Sequence, residues 1–217
     1  MQLLFLFTVP QRSSVLASDH LLILKVLSIQ PRTIFKPHVS LVLNFYYIYI
    51  VISQGIIASP FGPIKLEKSE KGLRSLQIMK ESEDVLSFGY DQALQSVVDQ
   101  LNAYFNGTLQ DFKIAYDLRG HPEFYIRVWR VLSTIPYGKT RTYSDVAHFL
   151  QKPSGARAVG NASAHNPLVI VIPCHRVLGK NGRLTGYMYG KDIKRQLLQH
   201  ESPAHFSQQG KFSFDNE

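Results

Sequence analysis

The chain has 217 residues, a length that fits one or two domains, and 45% of them are apolar against 18% charged. This composition is typical of a globular protein and excludes a disordered one. Basic residues outnumber acidic ones by 24 to 16, which gives a net charge of +8. The single cysteine, Cys174, excludes intramolecular disulfides, a disulfide-stabilised secreted fold, and CxxC zinc or redox motifs.

The positive charge lies almost entirely in the second half of the chain. Residues 1–120 carry 11 basic and 10 acidic side chains, whereas residues 121–217 carry 13 and 6. The net charges are therefore +1 and +7. This asymmetry is typical of a part that binds a polyanion, although a basic surface kept for solubility gives the same count.

Residues 1–52 differ in character from the rest. Their opening lacks the basic start and small-residue cleavage site of a signal peptide. The apolar stretch at 41–52 has only 12 residues, whereas a membrane-spanning helix needs about 20, and its β-branched and aromatic content favours a strand. Three interpretations stay open: a membrane anchor, a genuine but atypical extension, and a gene start assigned too far upstream.

The next part of the chain, up to residue 120, is predicted to form a small structural α/β layer. Residues 56–58 and 63–66 flank the turn sequence SPFG and predict a β-hairpin, and residues 73–79 predict another strand. Asp91 is the predicted N-cap of a helix that runs through Tyr104, because apolar residues recur there at helical spacing.

The part that follows is predicted to be mostly helical. An amphipathic stripe from Phe124 to Ile135 predicts one helix, which the next proline and glycine end. Thr142 is the predicted N-cap of a helix over residues 143–150, and QKPSG separates it from a third helix over 156–165. The last two helices match a helix-turn-helix, although any helical bundle contains such pairs.

The helix at 156–165 is unusually rich in small residues, among them Ala156, Gly160 and Ala162. Small side chains allow close packing on a neighbouring helix in the core. They also allow entry into a narrow groove such as the DNA minor groove, which is about 6 Å wide. In the second case Arg157 would reach a phosphate or insert into a base stack.

The apolar run at 168–173 is predicted to be a strand that ends at Pro173 and then presents Cys174 and His175. A free thiol has a pKa of about 8.5 and is only a few per cent ionised at neutral pH, so a nucleophilic Cys174 needs a nearby base. Neighbouring side chains on an extended chain point to opposite sides. Contact between Cys174 and His175 therefore requires a bend or a bridging water. The alternative is an inert buried cysteine.

Five segments together resemble the 6-O-alkylguanine-DNA alkyltransferases, also called methylated-DNA–protein-cysteine methyltransferases: IPYGKTRTYSDVA, ARAVGNASAHNP, VIPCHRV, GYMYG and KRQLLQHE. The resemblance runs in order from about residue 56 to residue 201. It implies an α+β fold with a small ribonuclease-H-like α/β domain and a winged-helix-like, DNA-binding domain with a helix-turn-helix. The expected boundaries are 1–52 for the atypical segment, 53–120 and 121–204 for the two domains, and 205–217 for a tail.

The resemblance implies DNA repair in which an alkyl group passes from the 6-oxygen of guanine to Cys174, once per molecule. Cys174 is then an exposed, ionisable acceptor, His175 resembles the water-bridged base, and Glu201 resembles the carboxylate that orients it. Tyr143 resembles the tyrosine that helps to rotate the nucleotide out of the duplex. Whether the 4-oxygen of thymine also reacts stays open.

The resemblance also assigns residues to DNA binding and to the alkyl pocket. Those on the DNA-binding side are Arg157, as the arginine finger that fills the gap left by the extruded nucleotide, with Ala156, Gly160, Ala162 and Asn166. Asn166 resembles an asparagine that bridges two C-terminal subregions by hydrogen bonds. The residues expected to line the pocket are Val177, Tyr187 and Met188. Met188 and the following Tyr189 depart from the family pattern, which leaves the pocket width open.

No metal or other cofactor is expected, because the zinc site of some relatives needs cysteines that this chain lacks. The expected partner is double-stranded alkylated DNA, bound by a monomer in the cytoplasm or, in a prokaryote, at the nucleoid, with no membrane involved. Two other functions compete. A non-catalytic sensor of alkylated DNA is disfavoured because Cys174 is present. A cysteine hydrolase is disfavoured because His175 adjoins Cys174 and no oxyanion-hole motif is evident.

Overall fold

A four-stranded antiparallel sheet forms the first part of the fold. The structure is a computed structural model that describes residues 53–79 and 87–204. Its strands are arranged in the order β3-β2-β1-β4 and comprise β1 (Ser53–Ile57), β2 (Ile64–Ser69), β3 (Gly72–Ile78) and β4 (Gly89–Tyr90). The hairpin and the third strand are confirmed. The predictions for residues 1–52, including the strand at 41–52, and for the tail at 205–217 lie outside the described residues.

One helix, α1 (Gln95–Phe105), follows the sheet after a short 3-10 turn at Gln92–Leu94. Its buried side chains join those of the strands in one hydrophobic core. Asp91 is the N-cap residue of the 3-10 turn rather than of α1 itself, and its side chain makes no capping hydrogen bond. Its carboxylate accepts a hydrogen bond from the backbone N–H of Gln54 at 2.8 Å instead, which ties the start of the turn to β1.

Four helices form the second part: α2 (Glu123–Leu132), α3 (Tyr143–Phe149), α4 (Ala156–Ala164) and α5 (Lys191–Glu201). Thr142 is the N-cap of α3, as predicted. The Thr142 hydroxyl accepts from the N–H of Asp145, and the Asp145 carboxylate accepts from the N–H of Thr142, which is a complete capping box. Helix α2 ends at Leu132, earlier than predicted. The chain tightens there into i to i+3 hydrogen bonds before Ile135, which precedes a proline and so disfavours helix.

Helices α3 and α4 pack against each other and against α2. The indole N–H of the fully buried Trp129 on α2 donates to the carbonyl of Ala162 on α4 at 2.8 Å. Close packing in the core therefore accounts for the inner side of α4, while entry into a groove stays a prediction for its outer side. Val159, Ala162 and Ser163 are buried, while its other side is open.

The predicted strand at 168–173 is wrong. Leu168 makes a single bridge to Leu76 of β3, and the backbone then reverses, with Ile170 at φ 72°. The N–H of Ile172 donates back to the carbonyl of Leu168, so the apolar run is a buried turn. Cys174–Arg176 form a 3-10 turn, and the two-residue β6 (Val177–Leu178) then pairs in parallel with β5 (Arg141–Thr142).

The described helices are all too short, or too polar, to cross a membrane.

Candidate active site

A cavity of about 600 Å³ opens between α3, α4 and the loop that precedes α5. Cys174 lies in its wall but is only 3% exposed, so the expectation of an exposed sulfur is wrong: the residue is buried at the edge of this cavity. The other lining residues are Tyr143, Ser144, Ala156, Arg157, Gly160, Ser163, Ala164, Lys180, Thr185, Gly186, Tyr187 and Met188.

Asn166 forms a hydrogen bond to the thiol of Cys174. Its side-chain amide donates to the Cys174 Sγ at 3.1 Å and to the carbonyl of Ile172 at 2.7 Å, and its Oδ1 accepts from the N–H of Leu168 at 3.0 Å. Burial raises the pKa of the Cys174 thiol, while the Asn166 amide and the charge of Lys194 act in the opposite direction. The turn therefore fixes the sulfur and partly offsets the cost of ionising it.

His175 and Glu201 form a buried pair beside the thiol. His175 Nε2 lies 2.8 Å from Glu201 Oε1, and the histidine side chain is completely buried. Burial lowers the pKa of His175 below its usual 6.5, which favours the neutral imidazole at pH 7. Burial alone would raise the pKa of Glu201, but His175 and Arg176 together hold it well below its usual range. Nε2 therefore carries the proton that it donates to Glu201, which leaves Nδ1 as the basic atom.

The Nδ1 atom of His175 is buried and has no hydrogen-bond partner within the described part of the chain. Cys174 and His175 lie in the same 3-10 turn rather than on an extended strand. The chain thus contains the bend that contact between their side chains requires.

Glu201 accepts hydrogen bonds from three parts of the chain: the turn with His175 and Arg176, the loop at Gly138, and Tyr104 on α1. Arg176 donates to Oε2 at 2.8 Å through Nε and to Oε1 at 3.0 Å through Nη2, and its Nη1 donates to the carbonyl of Ile135. The N–H of Gly138 reaches Oε2 at 3.2 Å, and the Tyr104 hydroxyl reaches Oε1 at 2.8 Å. The buried carboxylate is thereby both paired and fully hydrogen-bonded, as a buried charge must be.

Lys194 is a further buried charge that acts on the sulfur. Its ammonium donates to the carbonyl of Val177 at 2.6 Å and lies 5.7 Å from the centre of the Tyr143 ring and 5.9 Å from that of Tyr187. Burial lowers the pKa of Lys194 to about 8. The positive charge of this group favours the thiolate form of Cys174.

Two family models match the chain. The ribonuclease-like domain of 6-O-methylguanine DNA methyltransferase matches residues 47–118, and its DNA-binding domain matches residues 123–203. The chain belongs to the 6-O-methylguanine DNA methyltransferase family. Curated relatives named methylated-DNA–protein-cysteine methyltransferase include one from Mycolicibacterium paratuberculosis, 44% identical over 151 residues, and one from Methanosarcina barkeri, 44% identical over 153 residues. These alignments cover 68% and 67% of this chain and 91% and 94% of the relatives.

Solved structures of the family agree with this assignment. The chain resembles the crystal structure of Mycobacterium tuberculosis O6-methylguanine methyltransferase with a TM-score of 0.63 and 42% identity, over 70% of this chain and 94% of that one. It resembles a Mycobacterium tuberculosis family member in complex with DNA with a TM-score of 0.61 and 44% identity, over 68% and 91%. The predicted fold class, an α/β part followed by a helical DNA-binding part, is confirmed.

The structure brings most of the predicted methyltransferase site together. Cys174 and His175 are neighbours in one turn, and His175 contacts Glu201. The cavity wall also contains Tyr143 and, on the open side of α4, Ala156, Arg157 and Gly160. Tyr187 and Met188 line the same cavity, with Met188 43% exposed at its rim. Their roles in catalysis and binding stay predictions.

Three predicted residues lie elsewhere. Val177 does not line the cavity, because its side chain is buried and its carbonyl binds Lys194. Ala162 is buried on the side of α4 that contacts Trp129, so it does not face a groove. Asn166 is only 1% exposed, so it presents no surface to DNA, but its hydrogen bonds to Cys174, Ile172 and Leu168 are compatible with the bridging role that the resemblance implies.

Sequence reasoning missed Lys194, the Arg176–Glu201 ion pair and Tyr104. A signal for Lys194 was present, because Lys194, Leu197, Leu198 and Glu201 have the i, i+3, i+4, i+7 spacing of one helix face. No local signal marked Tyr104, whose partner is 97 residues away. Among the described residues, no cluster of three or more metal-ligating side chains occurs.

Proposed function

We propose that this protein repairs alkylated DNA by transferring the alkyl group from the 6-oxygen of guanine to its own Cys174. The observation that carries this proposal is the position of the sulfur. It lies in the wall of a 600 Å³ cavity bordered by the helix-turn-helix, held by Asn166 and followed directly by the buried His175–Glu201 pair. A cavity of that size accommodates one extruded nucleobase.

The reaction begins with loss of the thiol proton to His175 Nδ1, directly or through a water. Glu201 stabilises the imidazolium that forms, and Lys194 stabilises the thiolate. The thiolate then displaces the guanine oxygen from the alkyl carbon, so that an S–C bond forms as the C–O bond breaks. The departing guanine oxygen takes a proton from the Tyr143 hydroxyl, which is protonated at rest because burial raises its pKa. The proton that His175 accepted from the thiol then returns through water to the tyrosinate, so both side chains recover their starting protonation states. The resulting thioether is stable, and each molecule therefore acts once.

We propose double-stranded alkylated DNA as the substrate form and a monomer in the cytoplasm as the acting species. The target atom is inaccessible inside a duplex, so the nucleotide must leave the stack, at a few kcal/mol of unstacking. Arg157 is exposed on the open side of α4 and borders the cavity. That position suits a side chain that occupies the space left by the extruded nucleotide.

The test is a duplex that carries one labelled methyl group on a guanine 6-oxygen, mixed with protein in measured ratio. We expect a single burst of label onto protein, one per molecule, with the label located on Cys174 by peptide mass. Cys174→Ala is expected to abolish transfer while it keeps binding to the same duplex, measured by fluorescence anisotropy. Binding without transfer by the unaltered protein would identify a lesion sensor, and repeated turnovers would identify a hydrolase. Either result would refute the proposal.

A further inference from the structure

A tyrosine from the first part of the fold contacts the candidate active site through its hydroxyl group. Tyr104 lies at the end of α1, in the part of the chain for which sequence analysis predicted only a structural task. It is fully buried, and its hydroxyl donates to Glu201 Oε1 at 2.8 Å. His175 Nε2 contacts that same oxygen, also at 2.8 Å.

The shared oxygen makes the tyrosine and the histidine competitors. Oε1 accepts from Tyr104, from His175 and, at 3.0 Å, from Arg176. A carboxylate oxygen has two lone-pair directions, so each donation reduces the negative charge that remains for the other donors. A carboxylate bound by a phenol is therefore a weaker partner for an imidazolium than one without it.

The geometry of Tyr104 keeps this hydrogen bond in place. Its ring is packed against Phe112, Tyr137 and His200, with centroids 5.4, 6.1 and 5.1 Å away. Its own carbonyl lies 2.8 Å from His200 Nε2. Burial also raises the pKa of Tyr104, so the group stays a phenol and acts only as a donor.

We propose that Tyr104 is a positioning residue that weakens the proton affinity of His175 by sharing Glu201 Oε1. The effect keeps the imidazole neutral, and so able to accept the thiol proton, at lower pH than the His175–Glu201 pair alone would allow. The consequence for repair rests on the proposed function, whereas the effect on His175 does not.

Other charged groups surround the pair, and a test must leave them unchanged. Besides burial, the charges of Arg176 and Lys194 lower the pKa of His175. Burial, and then the nearby charge of Glu201, raise the pKa of Tyr137. Tyr104→Phe removes one hydroxyl and keeps the packed ring, so these groups stay in place. Tyr137→Phe is the matched control, because the Tyr137 hydroxyl donates at 3.3 Å to the carbonyl of His200 and not to Glu201.

The direct measurement is the titration of His175 by NMR of its side-chain nitrogens in the full chain. We expect Tyr104→Phe to raise the midpoint by roughly 0.5 to 1 pH unit, the equivalent of one net hydrogen bond. Tyr137→Phe should leave it unchanged. No shift, a downward shift, or an equal shift in both variants would overturn the proposal, because a residue with a purely structural role would not move this titration upward.

Replacement of Tyr104 by 3-fluorotyrosine gives the opposite perturbation, and it also serves if Tyr104→Phe does not fold. Fluorine makes the phenol a stronger donor, so the His175 midpoint should fall. An unchanged or higher midpoint would contradict the competition for Oε1.

The acid limb of the alkyl-transfer rate should follow the NMR midpoint in each variant, because only neutral His175 accepts the thiol proton. If the unaltered protein transfers no alkyl group while the His175 midpoint still moves as expected, the proposed function fails and the role of Tyr104 stands. If transfer proceeds normally and the His175 midpoint does not move, the proposed function stands and the role of Tyr104 fails.

Discussion

Lys194 offers the sharpest test of how the buried site affects stability. Replacement by methionine keeps an unbranched side chain up to the ε position and removes the ammonium group with its charge. The ammonium is fully buried, and burial lowers its pKa from 10.5 to about 8. A lysine whose pKa is lower in the folded chain binds fewer protons there than in the unfolded chain, so between pH 8 and pH 10.5 stability rises with pH.

The size of the change in stability follows from the difference between the two pKa values of Lys194, 10.5 and about 8. Each pKa unit corresponds to about 1.4 kcal/mol, so keeping Lys194 charged at pH 7 costs the folded state about 3 kcal/mol relative to high pH. About 2 kcal/mol of this is recovered by pH 9.5. Tyrosines that titrate near that pH are common to both proteins, and their contribution cancels in the comparison. We therefore expect the unaltered protein to gain about 2 kcal/mol over Lys194→Met between pH 7 and pH 9.5.

Urea unfolding at both pH values measures this difference. Trp129 is the only tryptophan of the chain and is fully buried, so its fluorescence reports unfolding. Lys191→Met, at the exposed start of the same helix, is the control and should show no such change. Alkylation of Cys174 by iodoacetamide should also be slower in Lys194→Met, because the thiolate loses a nearby positive charge. A pH-independent difference in stability would refute the reasoning.

Two further predictions concern the cavity wall. Arg157→Ala should slow repair in duplex DNA at least tenfold and leave the reaction with the free alkylated base unchanged, because only the duplex requires extrusion; equal losses in the two rate measurements would contradict the arginine-finger role. Asn166→Ala should move the midpoint of Cys174 alkylation with iodoacetamide to higher pH, and the lost donor to Ile172 should lower the free energy of unfolding by about 1–3 kcal/mol. An unchanged midpoint would show that the amide does not act on the thiol.

Local signals predicted the elements around the site well. Thr142 and Asp145 form a capping box whose two hydrogen bonds span three residues, so the start of α3 is readable from the sequence. The order of Cys174, His175 and Glu201 within family motifs likewise indicated a pair beside a thiol. The pair is real because α5 ends where its last residue meets the Cys174–Arg176 turn.

The features that the sequence did not reveal, the turn at 168–173 and the partner of the Tyr104 hydroxyl, depend on contacts between distant parts of the chain. The apolar run at 168–173 looks like a strand because hydrophobicity alone cannot distinguish a buried strand from another buried segment. Its reversal at Ile170, with φ 72°, depends on contacts with β3. Tyr104 was correctly predicted to lie in a helix with a buried face, but periodicity places a ring in the core without naming the partner of its hydroxyl.

The buried face of α5 shows why such partners matter. It carries Lys194 and Glu201 at opposite ends of a stripe whose middle is Leu197 and Leu198, an arrangement that would destabilise a helix packed only against apolar neighbours. With Arg176, the described buried charges beside the sulfur sum to +1, and a thiolate at Cys174 would neutralise that sum. The fold therefore contains one uncompensated positive charge while Cys174 is a thiol. The charge of Lys194 lowers the stability of the fold below pH 8, and the same charge favours ionisation of Cys174.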